Sequence, residues 1–495
     1  MMYGEEKSDS LIVAANLANN PQGAESVERR SGAKGNAEQP HMRRTQSRES
    51  MSQRLSRVRE AAKQRKKERF TASFHLLTAE ALENAFLSLS RKAAAGVDGV
   101  RWKDYAENLK VNIADLHRRL HQGSYRAQPG RRHYIPKADG KQRPLGIASL
   151  EDKIVQYALV KILNAVYEND FMGFSYGFRP GRSQHNALDA LATGLVRTNV
   201  NWVLDADISQ FFDKVSHEWL IRFIEHRIGD QRVIRLIRKW LTAGTSEEGE
   251  WRASEEGTPQ GAVISPLLAN IYLHYVFDLW AHQWRRRHAT GNVVMVRYAD
   301  DIVIGFDKRI DAQCFRIAMQ RRLKEFGLTV HPKKTRLMEF GRFAAENRAS
   351  RGKGKPETFN FLGFTHISGK DRSGRFMLIR KTRRDRMTAT LKAIKDGLRK
   401  RWHYSIPEQG KWLRRVVQGY LNYHSVPGNY PMMRKFRIYV TDLWRRALRR
   451  RSQQDDTTWT KANRLAAVWL PKVRVLHPWP VERFTARHPR QEPGA

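Results

Sequence analysis

The sequence predicts an α+β protein whose C-terminal segment is helical and strongly basic. Three observations lead there. Between residues 129 and 375, short β-branched runs alternate with stretches of helical period, without the regular strand–helix repeat of a parallel α/β sheet. After residue 380 the apolar residues fall on helical stripes alone. Lys and Arg number 90 against 50 Asp and Glu, a formal net charge of +40 that is densest in that same last segment.

Length and composition narrow the class. A chain of 495 residues suggests about three domains and can bury a sizeable core, and 40% hydrophobic residues exclude a disordered basic tail. So large a positive charge repels itself unless a polyanion offsets it, which makes nucleic acid the leading partner. The one cysteine, Cys314, excludes a disulfide framework and any cysteine-built zinc site, and fits a reducing compartment. Leu11 to Ala18 is too short for a signal core. Ala262 to Phe277 is interrupted by Ser265, Pro266, Asn270 and His274, so no membrane association is expected. The chain reads as cytoplasmic.

The elements follow in order. Residues 1–50 are polar and aperiodic, a flexible leader. Residues 51–128 start with a basic arm, where Arg65, Lys66 and Lys67 end a run of cations on a potential helix from Ser52 to Arg69. Within 129–375, Trp202 to Ile208 reads as a strand, His217 to Arg227 as a helix, and Val293 to Phe306 as strand, polar turn, strand. Phe359 to His366 reads as a further strand. Within 376–455 one helix is expected from Lys381 to about Arg401. A second carries Trp412, Leu413, Val416, Val417, Tyr420 and Leu421 on one stripe. A third carries Phe436, Val440, Leu443, Trp444 and Leu448, with Arg445, Arg446, Arg449 and Arg450 elsewhere on it. Pro407 and the Pro427-Gly428-Asn429 turn separate them. Residues 456–495 form a basic tail containing proline and tryptophan, suited to contact RNA or DNA.

The chemistry lies in the acids. Asp300 and Asp301 are adjacent at the hairpin tip, and two such carboxylates repel unless a cation sits beside them; a plain Asp-containing turn is the ordinary alternative. Asp207 ends the Trp202 strand. If that strand lies beside the hairpin, Asp207 meets Asp300 and Asp301, and together they offer hard oxygen ligands for two Mg²⁺ ions of the kind that assist in-line phosphoryl transfer. Asp205 and Asp213 are expected to face a neighbouring layer or cap the next helix.

Three motifs resemble the palm of reverse transcriptases, in the right order: Asp207-Ile208-Ser209-Gln210-Phe211-Phe212-Asp213, Pro259-Gln260-Gly261 running on to Asn270, and Tyr298-Ala299-Asp300-Asp301. Ile135-Pro136-Lys137 with Arg143-Pro144-Leu145-Gly146, Tyr176-Gly177-Phe178-Arg179-Pro180-Gly181, and Phe361-Leu362-Gly363-Phe364 narrow the resemblance to the bacterial group II intron-encoded reverse transcriptase/maturase family. It covers roughly residues 60 to 485.

The resemblance implies a right-hand polymerase fold, with fingers and palm in 129–375 and a thumb, domain X, in 376–455. It implies an RNA-directed DNA polymerase that binds its group II intron RNA, assists its splicing and copies it into DNA. The partners are then intron RNA, a DNA target and primer, and deoxynucleoside triphosphates; a homodimer is allowed. Asp207, Asp300, Asp301 and the carbonyl of Ile208 would hold two Mg²⁺ ions. Lys137, Arg143, Phe212, Gln260, Gly261 and Lys334 would contact the nucleotide, Phe212 as a steric gate against a ribose 2′-hydroxyl. Gly96 belongs to the stretch that resembles the template-contacting extension, and Arg179 to a motif expected at nucleic acid. The chain has neither the length nor the cysteines of the endonuclease region found in many members. Two other readings stay open: an RNA-binding splicing factor with a vestigial polymerase, and a domesticated defence-type reverse transcriptase.

Overall fold

β-Branched and aromatic residues set the strands, and their order sets the sheets. The computed structural model describes residues 50–136, 142–247, 249–451 and 457–487. In chain order, β1 (Gly130–Pro136) and β2 (Gln142–Ile147) form an antiparallel hairpin, and β3 (Trp202–Asp207) follows. Next come the short strands β4 (Thr245–Glu247) and β5 (Glu250–Arg252), then β6 (Val293–Tyr298), β7 (Asp301–Phe306) and β8 (Arg336–Glu339). β9 (Phe359–Phe361), β10 (Phe364–Lys370) and β11 (Phe376–Thr382) complete the set. Among the described residues they make three sheets, ordered β2-β1-β4-β5, β6-β7-β3-β8 and β11-β10-β9.

The middle sheet is antiparallel and covered on both faces. Alternation sends Leu204, Ala206, Ile302, Ile304 and Phe306 into the largest core, against the helices Leu150–Tyr167, Ser265–Leu273 and Arg309–Glu325. Val203, Val294, Val296, Tyr298 and Val303 face the other way, into a second core with the helix Gln184–Arg197 and with Phe359, Phe361 and Phe364. A third core lies inside a bundle of the helices Arg384–Lys400, Ile406–His424, Tyr430–Arg449 and Trp459–Trp469.

Several boundaries differ from the sequence expectation, each for a local reason. The first helix spans Met51–Gln64, not Ser52 to Arg69. The buried Arg227 caps its end, donating to the carbonyls of Ala62, Arg65 and Glu68 at 3.3, 2.9 and 2.6 Å. Phe359 to His366 is two strands, because Leu362 and Gly363 take positive φ (45° and 77°) and reverse the chain. Lys381 and Thr382 still pair with Thr365 and Phe364, so the helix expected from Lys381 starts at Arg384. Pro407 lies inside the first turn of the next helix, where its missing N–H costs nothing.

The tail is not loose. Its helix Trp459–Trp469 adds Ala466 to the bundle core, and the chain then runs back to the middle sheet. There the helix Pro480–Arg487 buries Phe484 in the second core, Arg483 pairs with the buried Asp189, and Arg197 donates to Thr485 at 3.0 Å. His477 stacks on His185 with ring centroids 4.0 Å apart, and burial drives the His185 imidazole down to about 2, so it stays neutral. No helix among the described residues is long and apolar enough to cross a membrane.

Candidate active site

Three chain segments meet at the C-terminal end of β3. The register sets Asp207 directly opposite Asp301, and Tyr298 opposite Asp301 on the other flank, so Ala299 and Asp300 form a two-residue turn. By alternation Asp205, Asp207 and Asp301 share one face of the sheet. Like charges directly opposite across a ladder repel, and here a cation offsets them: Lys334 Nζ lies 3.2 Å from Asp207 Oδ2. Asp207 and Asp300 are each only 8% exposed, which strengthens that field.

The backbone adds an oxygen. Ser209 N–H donates to Thr329 O, and His331 N–H donates to Asp207 O, at 2.8 and 2.7 Å. In that antiparallel bridge Ile208 faces Val330 without bonding it, so its own C=O is directed to the β7 side, where Asp300 sits.

The turn is strained and braced. Ala299 has φ 54°, uncommon for a residue with a Cβ. Its carbonyl accepts from Arg297 Nη1 at 2.8 Å, and Arg297, wholly buried, is clasped by Asp278 at 2.6 and 2.7 Å. Asn270 Oδ1 and Ser175 Oγ take its remaining donors at 3.1 and 2.6 Å, while Asn270 also donates to Gly177 O at 2.7 Å. Gly177 lies so close that a Cβ there would meet Ala299 N at 2.2 Å, so only glycine fits.

A second set of contacts ties the β1–β2 hairpin to this end of the sheet. Arg143 Nε donates to Gln260 Oε1 at 2.9 Å, and Gln260 Nε2 donates to Asp213 Oδ1 at 2.8 Å. Gly146 N–H bonds Gln260 O at 2.6 Å, and Gly261, at φ 108°, lets that carbonyl approach. Phe212 is half-buried with its carbonyl bonded by Thr258 N–H, while the neighbouring Phe211 is the core residue. Lys137 lies outside the described residues.

The structure therefore brings together Asp207, Asp300, Asp301, Ile208 and Lys334, and separately Arg143, Gln260, Gly261 and Phe212. Among the described residues no group of three or more His, Cys, Asp or Glu side chains is arranged to hold a metal ion by itself. The donor set is nonetheless all oxygen, two facing carboxylates with a third beside them and a carbonyl, which suits a hard divalent cation. Lys334 marks where positive charge is accepted.

Two residues expected at nucleic acid are buried in the free protein. Arg179 is 4% exposed; its guanidinium is held by Glu168 at 3.0 Å and by the carbonyls of Met172 and Ser175, both at 2.8 Å, so it organises its own loop. Gly96 is buried against the start of the helix Leu150–Tyr167, where a Cβ would lie 2.5 Å from Ser149 Cα, so it is a packing glycine. Arg65, Lys66, Lys67, Arg446, Arg449 and Arg450 are exposed; Arg445 is partly covered, bonded to Asp442 at 2.9 Å and lying over the Trp459 ring.

Sequence reading missed Arg297, Asp278, Asn270 and Gly177 as supports of the turn. One signal existed: an arginine inside Val293-Val294-Met295-Val296-Arg297-Tyr298 must be either paired or at an edge.

The chain is similar to known proteins. The family described as reverse transcriptase (RNA-dependent DNA polymerase) matches residues 135–366. Protein YkfC of Escherichia coli is 43% identical over 206 residues, 41% of this chain and 54% of that protein. The group II intron-encoded protein LtrA of Lactococcus lactis is 37% identical over 223 residues, 44% of this chain and 37% of that protein. The putative COX1/OXI3 intron 1 protein of Saccharomyces cerevisiae is 26% identical over 393 residues, 66% of this chain and 46% of its own length. The chain thus spans about half or less of these curated relatives.

Proposed function

We propose that this chain, which belongs to the group II intron-encoded reverse transcriptase and maturase family, is an RNA-directed DNA polymerase that also binds and assists its intron RNA. The observation that carries the reading is the register of Asp207 against Asp301 beside a braced Tyr298-Ala299-Asp300-Asp301 turn. The middle sheet serves as the palm, the β1–β2 hairpin with β4–β5 as the fingers, and the four-helix bundle as the thumb. Asp207, Asp300, Asp301 and the Ile208 carbonyl would hold two Mg²⁺ ions, which when bound would supply positive charge for the attacking 3′-hydroxyl and the leaving pyrophosphate.

The protein's own groups do the rest. Arg143 is pre-oriented by Gln260 to meet triphosphate oxygens, which favour a planar cationic donor. Phe212, carried on a one-turn helix beside that loop, stands under the sugar and selects against a 2′-hydroxyl. Lys334, paired with Asp207 at 3.2 Å, would turn to the triphosphate or primer once a cation takes over that carboxylate. Gly261 keeps the pocket floor low. A Cβ there would sit 3.0 Å from Gly146 O in a strained conformation, so Gly261→Ala raises KM for deoxynucleotide roughly tenfold in steady-state extension, with a smaller change in kcat.

The deciding experiment is primer extension on an RNA template with Mg²⁺, alongside binding to the intron RNA. Extension is expected; its absence with intact RNA binding would leave a splicing factor whose polymerase is vestigial. Binding should also weaken steeply with salt, by about a thousandfold between about 50 and 200 mM where six or more phosphates are contacted, because counterions are released. A flat response would show that the excess charge does not grip phosphates.

A further inference from the structure

The tail and the second helix of the bundle enclose a groove that the polymerase reading does not use. Its volume is about 520 Å³, within the range that small molecules fill. Leu421, Leu470, Val468 and Leu476 give it apolar surface, while Arg414, Lys472, Arg474 and Gln418 give it polar groups, and no acidic residue lines it. Val468 and Leu476, 62% and 49% exposed, both line it.

We propose that this groove between the helix Ile406–His424 and residues 467–476 receives one unpaired nucleotide of a bound RNA, its base on the aliphatic surface and its phosphate among Arg414, Lys472 and Arg474. Charge decides the class of occupant: a wall with three cations and no anion selects an anionic partner. The aliphatic surface decides the form, because a paired stem presents phosphates and sugars outward, whereas an extruded base brings an apolar face. Gln418, an amide with both donor and acceptor, also lines the groove, with one donor given to Asn422 Oδ1 at 2.7 Å. The site is also pre-organised. Arg414 is fixed by the carbonyls of Val468 and Trp469 at 2.7 and 3.1 Å, and the segment beyond is pinned where Leu476 and His477 N–H both donate to Ser425 O. The proposal rests on the reading of the chain as an RNA-binding protein and adds the feature of RNA that it recognises.

The test uses the full chain and two RNA hairpins of equal length, one perfectly paired and one with a single bulged 4-thiouridine. Tighter binding of the bulged hairpin is expected, with photocrosslinks to peptides covering 414–421 or 467–476. Val468→Trp fills the groove from its exposed side without touching the bundle core, and Arg474→Glu reverses one wall. Val468→Trp should reduce the preference for the bulge roughly tenfold while affinity for the perfectly paired hairpin stays within about twofold, and Arg474→Glu should weaken binding of the bulged hairpin more than of the paired one. Equal affinity for the two hairpins, crosslinks elsewhere, or a bulge preference that survives Val468→Trp would overturn the proposal. Failure of the polymerase reading is separately visible as absent extension, whatever the hairpins do.

Discussion

Asp300→Asn is expected to abolish DNA synthesis, at least about a thousandfold in kcat, while intron RNA binding stays within about twofold of the parent. Asparagine keeps the size and the turn-forming habit of aspartate, so the two-residue turn after Tyr298 should persist. What disappears is a negative charge within a nearly buried acidic group. Charge stabilisation in such a site is worth several kcal/mol, and each 1.4 kcal/mol is tenfold in rate. The cations expected to hold RNA, from Arg446 to Arg450 and from Arg65 to Lys67, lie on other surfaces and are untouched. Single-turnover extension and filter binding on one preparation read both quantities. Parallel loss of binding and synthesis would sink the separation of the two tasks, and residual synthesis within tenfold would remove Asp300 from the catalytic set.

The parts of this site that were legible in the sequence are those written in local pattern. β3 and the β6–β7 hairpin follow from short β-branched runs, and the meeting of Asp207 with Asp301 followed once those strands were set side by side. Burial was not legible in the same way. Arg179 and Gly96 sit in motifs that look functional, yet one is enclosed by Glu168 and the other by the backbone at Ser149. Neither partner is announced by the neighbouring residues. The tail shows the same limit over a longer range: Arg483 finds its carboxylate on Asp189, 294 positions earlier, and prolines and exposed aromatics gave no sign of it. Leu362-Gly363 could be read as a turn, but the strand propensity on both sides masked it.

The second large effect concerns what holds the turn rather than what acts on it. Arg297→Met is expected to cost about 3–5 kcal/mol of unfolding free energy, because it leaves the Asp278 carboxylate buried without its partner. Denaturant melts of variant and parent measure this, with an unchanged m-value as the check that unfolding stays two-state. The double variant Arg297→Met with Asp278→Leu removes both charges, and buried ion pairs replaced by apolar groups often regain most of the lost stability. Activity should not return with it. Arg297 links Asp278 and Asn270 to the Ala299 carbonyl, and Ala299 holds a positive φ that is expected to relax without that bond, shifting Asp300 and Asp301. A stable but inactive double variant, its RNA affinity unchanged, identifies Arg297 as a positioning residue. If stability and synthesis recover together, the buried pair serves packing only, and Gly177 with the hairpin register suffices to hold the acids in place.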